Sequence, residues 1–173
     1  MPNAMLNIVI LSAIALGLGP HVTVLAGELP QPQGTVLLTV TGDITNTNGD
    51  GAARLDIDML RAIGETSFET DTIWTAEPAT YTGVELDDLL AYVGATGSQV
   101  DARAINDYAV VVPASDGVDG GPVVAYEMNG QPMSRRDKGP LWLIYPYASS
   151  SSYRTEVIYA RSIWQLDRMH VHD

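Results

Sequence analysis

The chain has 173 residues, 46% apolar and 17% charged, a balance that fits a globular domain and excludes the high-charge, low-hydrophobicity composition of disordered chains. Its 9 Lys and Arg against 21 Asp and Glu give a net charge of −12, which argues against nucleic acid as a partner because phosphate recognition needs a basic face. With no Cys, the chain can form no disulfide, zinc–thiolate or iron–sulfur site, no thiol nucleophile, and no metal site held by a protein thiolate.

The first 27 residues carry no charged side chain, and Met5 to Leu18 is an apolar run of signal-peptide length, too short to span a bilayer comfortably. Gly19-Pro20 ends the run, and Val24-Leu25-Ala26 precedes Gly27 as a cleavage sequence would. The expectation is a signal peptide over residues 1–26, a periplasmic location, and one domain over 27–173. Because no Lys or Arg precedes the apolar run, a buried N-terminal helix and an uncleaved anchor stay open as alternatives.

Beyond a Pro-containing linker, Thr35 to Gly42 is β-branched and apolar and predicts a strand, with the turn cluster Thr45 to Gly51 pointing to a hairpin. Leu55, Met59 and Ile63 recur at four-residue spacing between Arg54 and Gly64, which predicts a short helix over 54–63 with an acidic start and a glycine stop. Phe68 to Trp74 reads as extended. Leu86, Leu89, Leu90 and Val93 form the apolar stripe of a second helix, closed by Gly94. From Ala104 onward strands are expected at 108–113, 123–127, 141–146 and 157–166, with Asn129-Gly130 as a hairpin turn. Their continuous apolar runs indicate cover on both faces. Ser149 to Ser152 reads as a mobile loop. Two helices among many strands without regular alternation predict an α+β domain.

Motifs for common chemistry are sparse. Asn46 to Gly51 imitates the start of a calcium loop, but the twelfth position is Ile57 where a bidentate Glu is needed, so a turn is the better reading. His170 and His172 could chelate a metal, yet no further ligand has suitable spacing, and they read as a solvated C-terminal tail. Asp87-Asp88 reads as a solvated helix face. Esterase and nucleotide-loop signatures are absent. Seven of the nine cations fall between Arg103 and the C-terminus, and Arg135, Arg136 and Lys138 sit beside Trp142, Tyr145, Tyr147 and Tyr153. Aromatic faces with a few cations and amides suit a flat polar heterocycle. A buried core beside a solvated basic turn would give the same pattern.

Four segments in order carry a resemblance: Tyr81 to Leu90, Asn106-Asp107-Tyr108, Ala125 to Met133, and Lys138 to Pro146. Together they resemble the molybdopterin-binding domain of sulfite-oxidase-type enzymes over roughly residues 35–168. The resemblance implies the sulfite oxidase fold, an α+β architecture of mixed β-sheets with a few short helices. Two departures bear on chemistry. The enzymes hold molybdenum through a Cys just before the aromatic-Gly-Val segment, where this chain has Thr72-Ile73-Trp74-Thr75, and the family's Arg in the Pro-x-Arg strand is replaced by Trp142. Both changes argue against molybdenum and for an unmetallated pterin.

The segment 138–146 and the ending Arg161 to Leu166 are also similar to small exported pterin-binding proteins of the PruR type. These imply a non-catalytic protein that binds a reduced pterin and engages a membrane diguanylate cyclase or phosphodiesterase. On that resemblance the expected site combines Trp74, in the vacated Cys segment, with Asn106, Asp107 and Tyr108 at a strand entry. Lys138, Tyr147, Tyr153 and Arg154 would close it. Asp107 would accept from the N–H edge of the pterin, Trp74 or a tyrosine would stack, and Lys138 and Arg154 would meet its oxygens. A molybdopterin-dependent oxidoreductase or accessory subunit lacking the Cys ligand, and an interaction module with no ligand, are the alternatives.

Overall fold

The computed structural model describes residues 27–173, so the expected leader over 1–26 lies outside the described residues. In chain order the elements are β1 (Leu38–Gly42), β2 (Ala53–Leu55), α1 (Ile57–Ile63), β3 (Thr66–Thr70), β4 (Ala79–Glu85), α2 (Leu86–Tyr92), β5 (Gln99–Ala104) and β6 (Ala109–Pro113). They continue with β7 (Val123–Met128), β8 (Gln131–Pro132), β9 (Leu141–Ile144), α3 (Glu156–Arg161) and β10 (Trp164–His172). All ten strands belong to one mixed sheet with the path β2-β1-β10-β9-β7-β4-β3; β5 and β6 branch from β10, and β8 from β7. Among the strand pairs of the described residues only β1–β10 is parallel. This is the α+β architecture expected.

The hairpin β1–β2 forms as predicted, but it takes residues assigned to the first helix. Leu55 pairs with Leu38 and is fully buried, so the strand continues to it and the helix starts only after Asp56. Asp56 sits at the N-cap and accepts from Met59 N at 3.0 Å; the same carboxylate accepts from Gln33 N at 2.7 Å and Gly34 N at 2.8 Å, fastening the entering chain to α1. Helix α2 buries Leu86, Leu89 and Leu90, and Gly94 adopts φ +63° beyond its end, as the stripe and stop predicted. In β4, Gly83 lies against β7 so closely that a Cβ would run into the Val124 carbonyl, which ties this glycine to the strand contact. Asn129 and Gly130 have φ 53° and 71° and close the β7–β8 hairpin.

Four further expectations need correction. The segment 157–166 is not one strand: Thr155 caps α3 by accepting from Ile158 N at 3.3 Å, so the β-branched pair Val157-Ile158 is helical and extended structure begins at Trp164. The C-terminal histidines are not a solvated tail, because β10 runs to His172 between β1 and β5. Strand β5 precedes the boundary placed at Ala104; its alternation of buried Val100, Ala102 and Ala104 with polar residues relies on small side chains that give a weak signal. Strand β6 pairs only with β5, leaving Val111 54% exposed, so it is an edge strand and not one covered on both faces. Strands β7 and β9 do have the double cover expected, with Val123 to Tyr126 and Leu141 to Ile144 all buried. Ser149 to Ser152, expected as a loop, leads into a 3-10 turn at Ser151–Tyr153 whose start is capped by the Ser150 hydroxyl.

Strand β10 organises the sheet. Its start pairs with β9 through Trp164–Trp142 and Leu166–Leu141, and from Arg168 the place of β9 is taken by β1 while β5 pairs from Leu166 onward. Register shifts fall at this exchange, and Gln165 there adopts φ 54°.

Backbone N–H donors, Gly34 first and then Met59, hold the Asp56 carboxyl below its ordinary value near 3.8. A depressed carboxyl stabilises the fold above its unfolded pKa and loses that contribution as pH falls through the folded value. Asp56→Ala is therefore expected to lower unfolding free energy by about 1–3 kcal/mol at neutral pH. In urea unfolding, the gap to the wild type should close as the pH is taken below about 4.

Candidate functional site

A cleft of about 410 Å³ opens where the start of β10 leaves α3 and passes the β5–β6 turn. Trp74, Tyr108, Tyr159 and Trp164 provide its aromatic lining, and Asn106 and Gln165 are its amides. No charged side chain lines it.

Local structure explains why Trp74 reaches the cleft. In the β3–β4 loop the Thr72 hydroxyl accepts from both Trp74 N and Thr75 N at 3.0 Å, a turn that the Thr side chain closes. The Trp74 ring then meets Trp142 at 5.8 Å, Tyr147 at 6.4 Å, Tyr159 at 5.8 Å and Trp164 at 5.6 Å, all edge to face. Such contacts stabilise by about 0.5–1.5 kcal/mol each beyond area burial. Trp74 is thus the hub of the cluster. Lys138 Nζ lies 4.9 Å from the Trp164 ring centre and 5.3 Å from that of Trp142, placing one cation against the cluster from outside the cleft lining.

Beneath the cleft several polar groups engage one another, while Trp142 Nε1 and the Tyr81 hydroxyl are buried without a partner among the described residues. The buried Tyr147 hydroxyl bonds to Ser162 Oγ, and Ser162 donates to the Ile158 carbonyl at 3.0 Å, so Tyr147 is the donor to Ser162. Burial pushes the Tyr147 phenol above its ordinary value, against the opposing effect of Ser162. Tyr145 is raised by burial first and by its hydrogen bond to Asp116 second. Asp116 also holds Arg161 at 2.8 Å, fixing the last turn of α3 beside the cleft. Gln165 Nε2 donates to the Arg135 and Asp137 carbonyls at 2.8 and 3.1 Å, which leaves its Oε1 to accept. Asn106 Oδ1 accepts from Tyr108 N at 3.2 Å, which leaves its Nδ2 to donate.

Of the expected site residues, Trp74, Asn106 and Tyr108 come together in the cleft lining. The others stand elsewhere. Tyr147 is buried under Trp74 and Tyr159. Asp107, at φ 67° in the β5–β6 turn, is paired with Arg168 at 3.0 Å. Tyr153 packs on Tyr145, 5.9 Å between ring centres. Arg154 donates to the Tyr147 carbonyl at 2.8 Å and pairs with Asp71 at 3.3 Å. Lys138 acts through the rings it covers.

Tyr159 and Trp164 also line the cleft, and the sequence reading does not mark them for it. Both lie in the stretch read as a single strand, and only the helix over 156–161 followed by the β10 irregularity sets them on one cleft. Trp164 did belong to the quoted ending Arg161 to Leu166, and its 37% exposure is the signal that the structure adds.

The family described as "Oxidoreductase molybdopterin binding domain" matches residues 57–153. The crystal structure of the sulfane dehydrogenase SoxCD from Paracoccus pantotrophus is similar with a TM-score of 0.58 and 16% identity, over 79% of this chain and 38% of that chain. At that identity the likeness is one of fold, and this chain spans well under half the length of the one it matches. No curated protein matches the sequence.

Ser162→Ala is expected to strand the buried Tyr147 hydroxyl and lower stability by about 1–3 kcal/mol. Tyr147→Phe leaves Ser162 bonded to Ile158 and should cost less. A double-mutant cycle by chemical denaturation checks this: the double variant should recover part of the Ser162→Ala loss.

Proposed function

Because this chain belongs to the oxidoreductase molybdopterin binding domain family, we propose that it binds a reduced pterin without molybdenum and serves as a non-catalytic pterin-binding protein. The observation that carries the reading is the position of Trp74. The segment that the resemblance aligns with the metal-holding Cys carries this indole, and the indole is the hub of an open aromatic cleft.

The residues fit the two halves of the cofactor unequally. Molybdenum in this family calls for a soft thiolate, and the chain has no Cys; among the described residues no group of three or more His, Asp or Glu side chains is placed to hold a metal. A phosphate-bearing pterin would want a cation in the lining, and the cleft supplies none. A flat, uncharged heterocycle fits better. Its faces would meet Trp164, Tyr159 and Tyr108, and its N–H and carbonyl edge would meet Gln165 Oε1 and Asn106 Nδ2.

The remaining parts of the reading are membership of the small exported PruR-type group, a periplasmic location, and transfer of pterin status to a membrane diguanylate cyclase or phosphodiesterase. The apolar segment before Gly27 supports export. The ring of exposed Tyr108 and Trp164 at the cleft mouth supports a partner that senses occupancy, since a bound heterocycle would cover part of that surface.

Titration with tetrahydropterin is expected to quench the indole fluorescence saturably. Trp164→Ala should weaken binding by about 1–3 kcal/mol, roughly 5- to 150-fold, by analogy with heterocycle stacking on aromatic side chains. Wild-type affinity in that variant would remove the stacking role. Elemental analysis of protein purified from its native host should give molybdenum far below one per chain; a stoichiometric content would return the chain to the oxidoreductases.

A further inference from the structure

The sheet face where β1, β10 and β5 run side by side carries a second concavity, of about 190 Å³, lined by Thr39, Thr41, Asp101, Arg103, Arg168 and His170. The register explains this composition. Arg168 stands directly opposite Arg103 on β5 and Thr39 on β1, and His170 stands opposite Asp101 and Thr41. Like charges directly across a strand pair cost stability, and this chain of net charge −12 places two of its nine cations in that arrangement. Asp107 and Asp167 offset the charge of Arg168, whereas Arg103 has no ion-pair partner among the described residues, so an anion in the groove would supply the counter-charge that Arg103 lacks.

The contacts already made leave donors over. Among the described residues Arg103 forms no ion pair. Arg168 directs Nε to Asp167 at 2.9 Å, and Nη2 to Asp107 at 3.0 Å and the Ala104 carbonyl at 2.9 Å; Nη1 takes part in none of these. His170 Nδ1 meets the Thr41 hydroxyl at 3.0 Å. The one carboxylate in the lining, Asp101, is engaged by His172 Nε2 at 3.2 Å, which offsets its charge when that imidazole is protonated.

We propose that this groove is a binding site for a small tetrahedral oxyanion, a phosphate group held by Arg103 and the Nη1 side of Arg168, with the Thr39 hydroxyl as a neutral donor. Guanidinium forks match phosphate oxygens in geometry as well as charge. The groove is separate from the aromatic cleft, so the proposal stands whatever occupies the cleft.

The test is calorimetric titration of the full protein at low ionic strength with inorganic phosphate and, separately, glycerol 3-phosphate, with the His170 imidazole resonance as a second readout. Saturable binding that shifts that resonance and weakens with added salt is expected, as is a loss of affinity of about tenfold or more in Arg103→Gln. Arg103→Lys, which keeps the charge but not the fork, should fall between the two and covers the case in which the Gln variant fails to fold. Equal affinity for the two probes assigns the site to the free anion, and tighter binding of the ester assigns it to a phosphorylated small molecule. No saturable binding of either, or binding that the Arg103 variants leave intact, overturns the proposal.

Discussion

A strand has two edges, and β10 satisfies three partners with them. Strands β9 and β1 cannot occupy the same stretch of one edge, so the ladder passes from one to the other near Leu166 while β5 holds the opposite edge. The exchange imposes register shifts and the left-handed Gln165. The aromatic cleft lies at this irregularity, because Trp164 and Gln165 precede the regular part of the strand and α3 has just ended. The cationic groove lies on the regular part, where three strands run side by side and cross-strand neighbours share a face.

Arg168 joins the two regions physically. Its backbone belongs to the regular β10 ladder, while its Nη2 holds the Ala104 carbonyl and Asp107 in the turn that presents Asn106 and Tyr108 to the cleft. The Asp107–Arg168 pair is largely exposed and contributes little to stability by itself. Its geometric role is to hold the turn against β10 alongside the backbone bonds Ala104–Tyr108 and Ile105–Gln165.

The cleft lining is built of aromatic faces and amides. A metal-holding lining needs soft anionic donors and cations for phosphate, groups that require water or partners when unoccupied. This lining offers indoles, phenols and two amides; the Thr72 turn, the Tyr147–Ser162–Ile158 chain and the Arg161–Asp116–Tyr145 set engage polar groups around it, while the buried Trp142 Nε1 and Tyr81 hydroxyl have no partner among the described residues.

The amino-acid sequence by itself determined the fold class, the β1–β2 and β7–β8 hairpins, helix α2 with its glycine stop, the doubly covered β7 and β9, and the absence of a thiolate. Each of these depends on local patterning or on composition. It also marked Asn106 and Tyr108, through a segment that carries the family resemblance, and Trp74, through the segment where the family's Cys is missing. Tertiary structure decided the rest. Thr155 as a cap makes helix of Val157 and Ile158 despite their β-branching, Leu55 is drawn into a strand by its pairing with Leu38, and the C-terminal histidines join a sheet, His170 between β1 and β5 and His172 against β5. Asp107 and Arg154 are paired with Arg168 and Asp71. Those partners lie far along the chain, and separations of that length leave no periodic trace in a single sequence.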